Sequence, residues 1–211
     1  MRRPQTLPYG SLYSESVQLG LVFGVFALIF VAELPDKTMI ATLILGSRYR
    51  PILVWIGATA AFGLHVGVAV LAGRLIALLP HRWVELVTAL LFAGGAAYLL
   101  LVSEEEEEEE GEQEVEAAPG GLRPIATAFL VIFVGEFGDL TQILTANLAA
   151  KYHQPLSVFV GAFAALASVA AIGAFGGRAL LQVLPLAVIR KVGGVVLAGF
   201  AVYTLITLIR G

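Results

Sequence analysis

The stretch Glu33-Leu34-Pro35-Asp36-Lys37-Thr38 places two acids and a lysine at the end of an apolar run that begins near Val17. A second stretch, Glu136-Phe137-Gly138-Asp139-Leu140-Thr141, repeats both acids and the threonine inside another apolar run. Ionisable side chains are costly at membrane depth, so acids found there are candidate functional groups from the outset. Residues three apart share a helix face, so each Glu and its Asp can point to one place. Pro35 lacks an N–H and clashes with the carbonyl of Val31, which predicts a loosened or kinked helix. Gly138 permits the same departure without forcing it.

Outward from the motifs, the two halves of the chain match. An offset of 103 relates Glu33 to Glu136, Asp36 to Asp139, Thr38 to Thr141, Thr42 to Thr145 and Tyr49 to Tyr152. An offset of 104 relates Gly57 to Gly161, Gly73 to Gly177 and Arg74 to Arg178, and one of 105 relates Pro80 to Pro185, Gly94 to Gly199 and Tyr98 to Tyr203. Two one-residue shifts across a half are what a diverged duplication produces.

A helix crossing the hydrocarbon core needs about 20 apolar residues. Six such segments are legible: Val17 to about Leu45 through the first motif, Ile52–Leu79, Leu86–Val102, Pro124–Ala150, Pro155–Leu184 and Val192–Ile209. Apolar runs without alternation favour helices, and lipid offers backbone groups no partner. The fold class is therefore an all-α integral membrane protein, its six transmembrane helices forming two inverted three-helix repeats. The inversion follows from the odd span count, since consecutive odd halves enter the membrane from opposite sides; transporters of this kind hold their site at the repeat interface. The divisions are an N-terminal segment 1–16, a first repeat 17–102, a linker 103–121 and a second repeat 122–211. Arg2 and Arg3 ahead of an apolar run resemble a signal peptide, but no small-residue cleavage site follows, so the run reads as the first membrane helix.

Composition agrees. The 211 residues are 58% hydrophobic and only 14% charged, with a mean hydropathy of +0.88, whereas soluble domains carry roughly 25% charged residues. This excludes a disordered chain, a nucleic-acid-binding arm and an ordinary cytosolic enzyme. With no cysteine, thiolate metal sites, cysteine nucleophiles and disulfides are excluded. The formal net charge of −3 hides two unlike parts, because ten of the 16 acids lie between Glu104 and Glu116. That low-complexity stretch, closed by Pro119-Gly120-Gly121, predicts a disordered linker. The remaining acids are Glu15, Glu33, Asp36, Glu85, Glu136 and Asp139, against 13 basic residues. Apart from Lys37 in the first motif, the basic residues divide six against six between the two faces, which leaves orientation undecided by the positive-inside rule.

If pseudo-symmetry brings the motifs together, four carboxylates converge. Hard oxygen donors without sulfur suit Mg²⁺, Ca²⁺ or Mn²⁺ better than Zn²⁺ or Cu⁺. Repulsion among the empty carboxylates would favour protons in place of the ion, and one site held alternately by a cation or by protons is the chemistry of an antiporter. The metal candidates are Glu33, Asp36, Glu136 and Asp139. Thr38, Thr141 and Gln142 are supporting candidates as neutral oxygens, and Lys37 as a neutralising or competing charge. Asn147 lies eleven residues beyond Glu136, on nearly the same helix face, and reads either as lining the pathway or as making an interhelical hydrogen bond. His65 reads as a hydrogen-bonded packing residue or a proton shuttle. Trp55, Trp83 and Tyr98 read as interfacial anchors.

At these motifs the chain resembles the Gdt-type cation transporters, whose pattern Glu-x-Gly-Asp-Lys/Arg-Thr/Ser occurs once in each half of a six-span protein. The resemblance implies a Ca²⁺/Mn²⁺ transporter exchanging cation for protons, with Mn²⁺ export in bacterial members. It implies Glu33, Asp36, Glu136 and Asp139 as ligands, Thr38 and Thr141 in support, and a central acidic loop in the cytosol of a bacterial-type cell membrane. Pro35 and Leu140 depart from the pattern. No resident cofactor is expected; the expected partners are divalent cations, protons and the bilayer, with no nucleic acid and an open oligomeric state. Two other functions stay open: an intramembrane aspartyl protease using Asp36 and Asp139, and an exporter of a small organic cation.

Overall fold

A computed structural model describes residues 17–34, 36–101, 104–118, 120, 122–183 and 186–210. The N-terminal segment before Val17, with Arg2 and Arg3, lies outside the described residues, as do Pro35, Pro119, Gly121 and Pro185; so does the Arg178 side chain. Among the described residues the protein is all-helical: α1 (Leu19–Glu33), α2 (Lys37–Arg48), α3 (Pro51–Ile76), α4 (His81–Leu101), α5 (Glu104–Glu116), α6 (Pro124–Gly135), α7 (Leu140–Tyr152), α8 (Pro155–Val183) and α9 (Leu186–Arg210).

Four helices, α3, α4, α8 and α9, contain stretches long and apolar enough to cross a membrane. Two more spans arise if each bent pair counts as one: α1 with α2, bent by 72°, and α6 with α7, bent by 73°. Both bends fall on the acidic motifs. Helices α3, α6 and α8 begin at Pro51, Pro124 and Pro155, where a missing N–H costs nothing because the first-turn donors are unpaired anyway. Leu75, Leu90, Val134 and Ile209 are among the large apolar side chains left exposed, in keeping with a lipid-facing surface.

The halves interlock. Helix α3 packs on α6 and α7, and α8 packs on α1 and α2, so each unbroken inner helix supports the broken pair of the other half. Glycines make these contacts close. A Cβ at Gly57 would collide with the Ile125 carbonyl, and one at Gly161 would meet the Val22 carbonyl oxygen at 2.7 Å. Gly57 and Gly161 are repeat-equivalent, and so are Val22 and Ile125, so the same close approach is made twice. Small residues serve this purpose where lipid supplies no hydrophobic drive between helices. Helices α4 and α9 pair with each other and pack on α7 and α1 respectively, and Phe92, Leu99 and Leu197 carry the main core out to them.

Two sequence expectations give way to structure. The acidic stretch is not an irregular linker: α5 is helical and packs along α2. Glutamate is a good helix former, and Gly111, Glu114 and Val115 fall on one face at i, i+3 and i+4. Gly111 sits against Ile40, and Val115 is buried in the main core. Composition predicted disorder because it averages over this narrow buried stripe. Trp55, expected as an interfacial anchor, ties two helices together instead, its Nε1 donating to the Ala167 carbonyl of α8 at 2.9 Å.

Candidate cation site

Each motif ends one helix and starts the next, and one backbone bond recurs in both. The N–H of Asp36 donates to the Glu33 carbonyl at 3.1 Å, and that of Asp139 to the Glu136 carbonyl at 3.3 Å. Glu33 closes α1 and Glu136 caps α6, while Asp36 and Asp139 occupy the N-caps of α2 and α7. Aspartate is favoured at such caps, next to the positive end of a helix dipole. The Asp139 carboxylate accepts from the Thr141 N–H at 3.2 Å. Gly138 takes φ +82°, a left-handed conformation that glycine adopts at no steric cost.

The two turns meet. One carboxylate oxygen from each of Glu33, Asp36, Glu136 and Asp139 lies within 4.8 Å of the other three. Glu33 is 1% exposed, Glu136 5% and Asp36 7%, so three of the four are shut off from bulk solvent. The described chain thus brings all four metal candidates to one point.

The supporting candidates separate. The Thr38 hydroxyl donates to Glu136 Oε1, linking the first motif to the second. Thr141 is buried at the start of α7 and bonds through its backbone. Lys37 stands in the field of Glu136, Asp36 and Asp139, but its Nζ forms an ion pair with Glu114 at 3.4 Å and donates to the Gly135 carbonyl at 3.3 Å. Gln142 is engaged elsewhere: its Oε1 accepts from the Gly138 N–H at 2.8 Å and its Nε2 meets His65 Nδ1 at 2.9 Å. Asn147 donates to the Ile143 carbonyl of its own helix at 2.9 Å, and its buried Oδ1 has no partner among the described residues. Among the described residues its bond is thus within its own helix, and the interhelical alternative is not seen. Leu140, in the place of Lys37, points at Gly95 of α4. Phe137 is 70% exposed and builds no aromatic cage.

Glu114 escaped the sequence reading. It is half-buried with one buried oxygen lacking a hydrogen-bond partner, and its carboxylate lies against Gly135, beside Glu136. Burial raises its carboxyl above the usual range, partly offset by the Lys37 ammonium. Among ten neighbouring glutamates nothing in the sequence marked this one except its i+3 spacing from Gly111.

Comparison with known proteins points the same way. The family described as divalent cation/proton antiporter GDT1 matches this chain twice, over residues 21–107 and 124–210. A GDT1-like protein of Synechocystis sp. is 30% identical over 83% of this chain and 91% of its own length. The chloroplastic protein PAM71 of Arabidopsis thaliana is 30% identical over 85% of this chain and 55% of its own. A Vibrio cholerae protein named "Putative manganese exporter" is 29% identical over 77% of this chain and 78% of its own. No solved structure matches the chain significantly.

Proposed function

The chain belongs to the GDT1 divalent cation/proton antiporter family, and from that premise we propose that it moves Mn²⁺, with Ca²⁺ as the second candidate, in exchange for protons at the four-carboxylate cluster. The observation that carries this reading is the convergence of Glu33, Asp36, Glu136 and Asp139 within 4.8 Å. A set of hard oxygens that compact suits a single divalent ion. Phe137, the aromatic residue of the second motif, is exposed and cages no organic cation, and a two-aspartate protease would leave both glutamates without a role. Four charges so close repel strongly unless a cation or protons offset them, so release of the ion favours proton uptake and the reverse. Mn²⁺ is preferred as cargo because the similar Vibrio protein is named for it.

We read the halves as inverted repeats. The reading is supported by the double family match and by the equivalent close contacts of Gly57 and Gly161. Alternating access would then rock one half against the other around the cluster. The α5 side is assigned to the cytosol, as the resemblance implies. The test is Mn²⁺ uptake into proteoliposomes under an imposed pH gradient. Glu136→Gln and Asp36→Asn should each abolish uptake and the accompanying proton flux; uptake that survives both substitutions contradicts the proposal.

A further inference from the structure

The two helix breaks are held in different ways. In an unbroken helix the Phe133 carbonyl would accept from the Phe137 N–H, but that N–H goes to Val134 at 3.3 Å instead. The freed Phe133 carbonyl is met by His65 Nε2, from α3 of the other half, at 3.1 Å. On the far side of Glu136, the Gly138 N–H donates to Gln142 Oε1, and Gln142 Nε2 reaches His65 Nδ1. The donors in this chain assign themselves. A backbone N–H can only donate, so Gln142 presents its oxygen to Gly138 and its amide nitrogen to His65. An amide nitrogen can only donate, so Nδ1 accepts, and Nε2 carries the proton given to Phe133. Three bonds in one direction, from Gly138 to Phe133, bridge the turn that carries Glu136. His65 is buried, and a cavity of about 20 Å³ is lined by His65, Gln142 and Thr141 together with Glu136 of the cluster.

The first half has none of these polar parts. At the positions equivalent to Gly138, Gln142 and His65 stand Pro35, Met39 and Val169. Proline has no N–H to satisfy. Met39 and Val169 are fully buried in a small apolar cluster with Leu34, packed by Phe30 and Ile172, and the Phe30 carbonyl keeps a local donor in the Leu34 N–H at 2.9 Å. Three positions thus change together: where the turn holds a donor, two polar side chains connect it to the orphaned carbonyl, and where it holds none, apolar residues fill the same places.

We propose that His65, acting through Gln142, is a positioning residue for the second half-site, a neutral staple that fixes the α6–α7 turn and thereby the aim of Glu136. It acts across the repeat interface and carries no transported proton. This inference rests on the transport reading given above. Partners that orient ligands in this way typically account for about 10- to 100-fold in metal affinity.

The experiment takes the full chain in proteoliposomes and follows Mn²⁺ uptake under a fixed pH gradient. His65→Val and Gln142→Met should each raise the KM for Mn²⁺ by about 10- to 100-fold while the maximal rate is largely kept. The double variant should be no worse than either single one, because both break the same chain of bonds. His65→Gln, whose amide can both donate to Phe133 and accept from Gln142 but cannot carry a proton, should restore most of the affinity. An unchanged KM in His65→Val overturns the proposal, and so does a His65→Gln variant as impaired as His65→Val, which would mark a proton carrier. A second readout does not depend on transport: histidine ¹⁵N spectra at neutral pH should show His65 as the Nε2–H tautomer, and the Gly138 amide should exchange slowly until Gln142→Met exposes it. The Nδ1–H tautomer or an imidazolium there contradicts the staple even if wild-type protein moves no Mn²⁺; that failure would count against the transport reading alone.

Discussion

Four carboxylates dominate the residue scale, and their neighbours decide how they are held. Thr38 donates across the halves to Glu136, so Thr38→Val should weaken Mn²⁺ uptake at low cation concentration by about tenfold, while Thr38→Ser keeps the hydroxyl and stays near wild type. A loss in Thr38→Ser with Thr38→Val near wild type, measured as KM in proteoliposomes, would point to packing by the methyl group instead. The acids themselves were legible in the sequence, because three-residue spacing and repetition at one depth leave few other readings. Gln142 was legible only as a polar residue near the motif. That its oxygen serves Gly138 depends on where α3 places His65, a contact between residues 77 positions apart. Glu114 was hidden for the same reason, since its partners Lys37 and Gly135 lie in other helices.

At the scale of elements, the acidic helix α5 links the connecting segment to the site. Burial raises the Glu114 carboxyl, so the docked helix holds the proton more tightly than the undocked one. Docking is therefore favoured at low pH and weakens as pH rises through the raised value. Amide exchange in α5, corrected for intrinsic rates, should show protection falling toward alkaline pH, and Glu114→Gln should flatten that dependence. Protection that grows with pH would mean that the ion pair with Lys37 outweighs burial. The close crossings of α3 on α6 and of α8 on α1 make a second prediction. Gly161→Val places side-chain atoms against the Val22 carbonyl and should destabilise the protein by about 1–3 kcal/mol, seen as a lower thermal midpoint in detergent. Gly67→Ala, where a Cβ meets nothing within 4 Å, should leave the midpoint unchanged or raise it, since alanine is the better helix former. The apolar spans and their breaks were readable from length and from the motifs; the helicity of α5 was not, because charge composition conceals a buried face only three residues wide.

For the whole molecule, the duplication explains why four carboxylates meet. Either half alone supplies one glutamate and one aspartate. The exchange of supporting helices, α3 under α6 and α7 and α8 under α1 and α2, brings the two turns face to face. The matched offsets of acids and glycines pointed to the meeting of the two motifs, but not to this exchange of supporting helices. What the offsets could not convey is the inequality of the halves, an apolar plug behind one turn and a polar staple behind the other, because that lies in which residues meet across the interface. The central claim is that these four carboxylates hold the transported ion. Anomalous diffraction from Mn²⁺-soaked crystals tests it most directly. The account predicts one strong peak about 2.0–2.6 Å from an oxygen of each of Glu33, Asp36, Glu136 and Asp139, lost in Glu136→Gln. A peak on the glutamates of α5 with none between the two turns would contradict it.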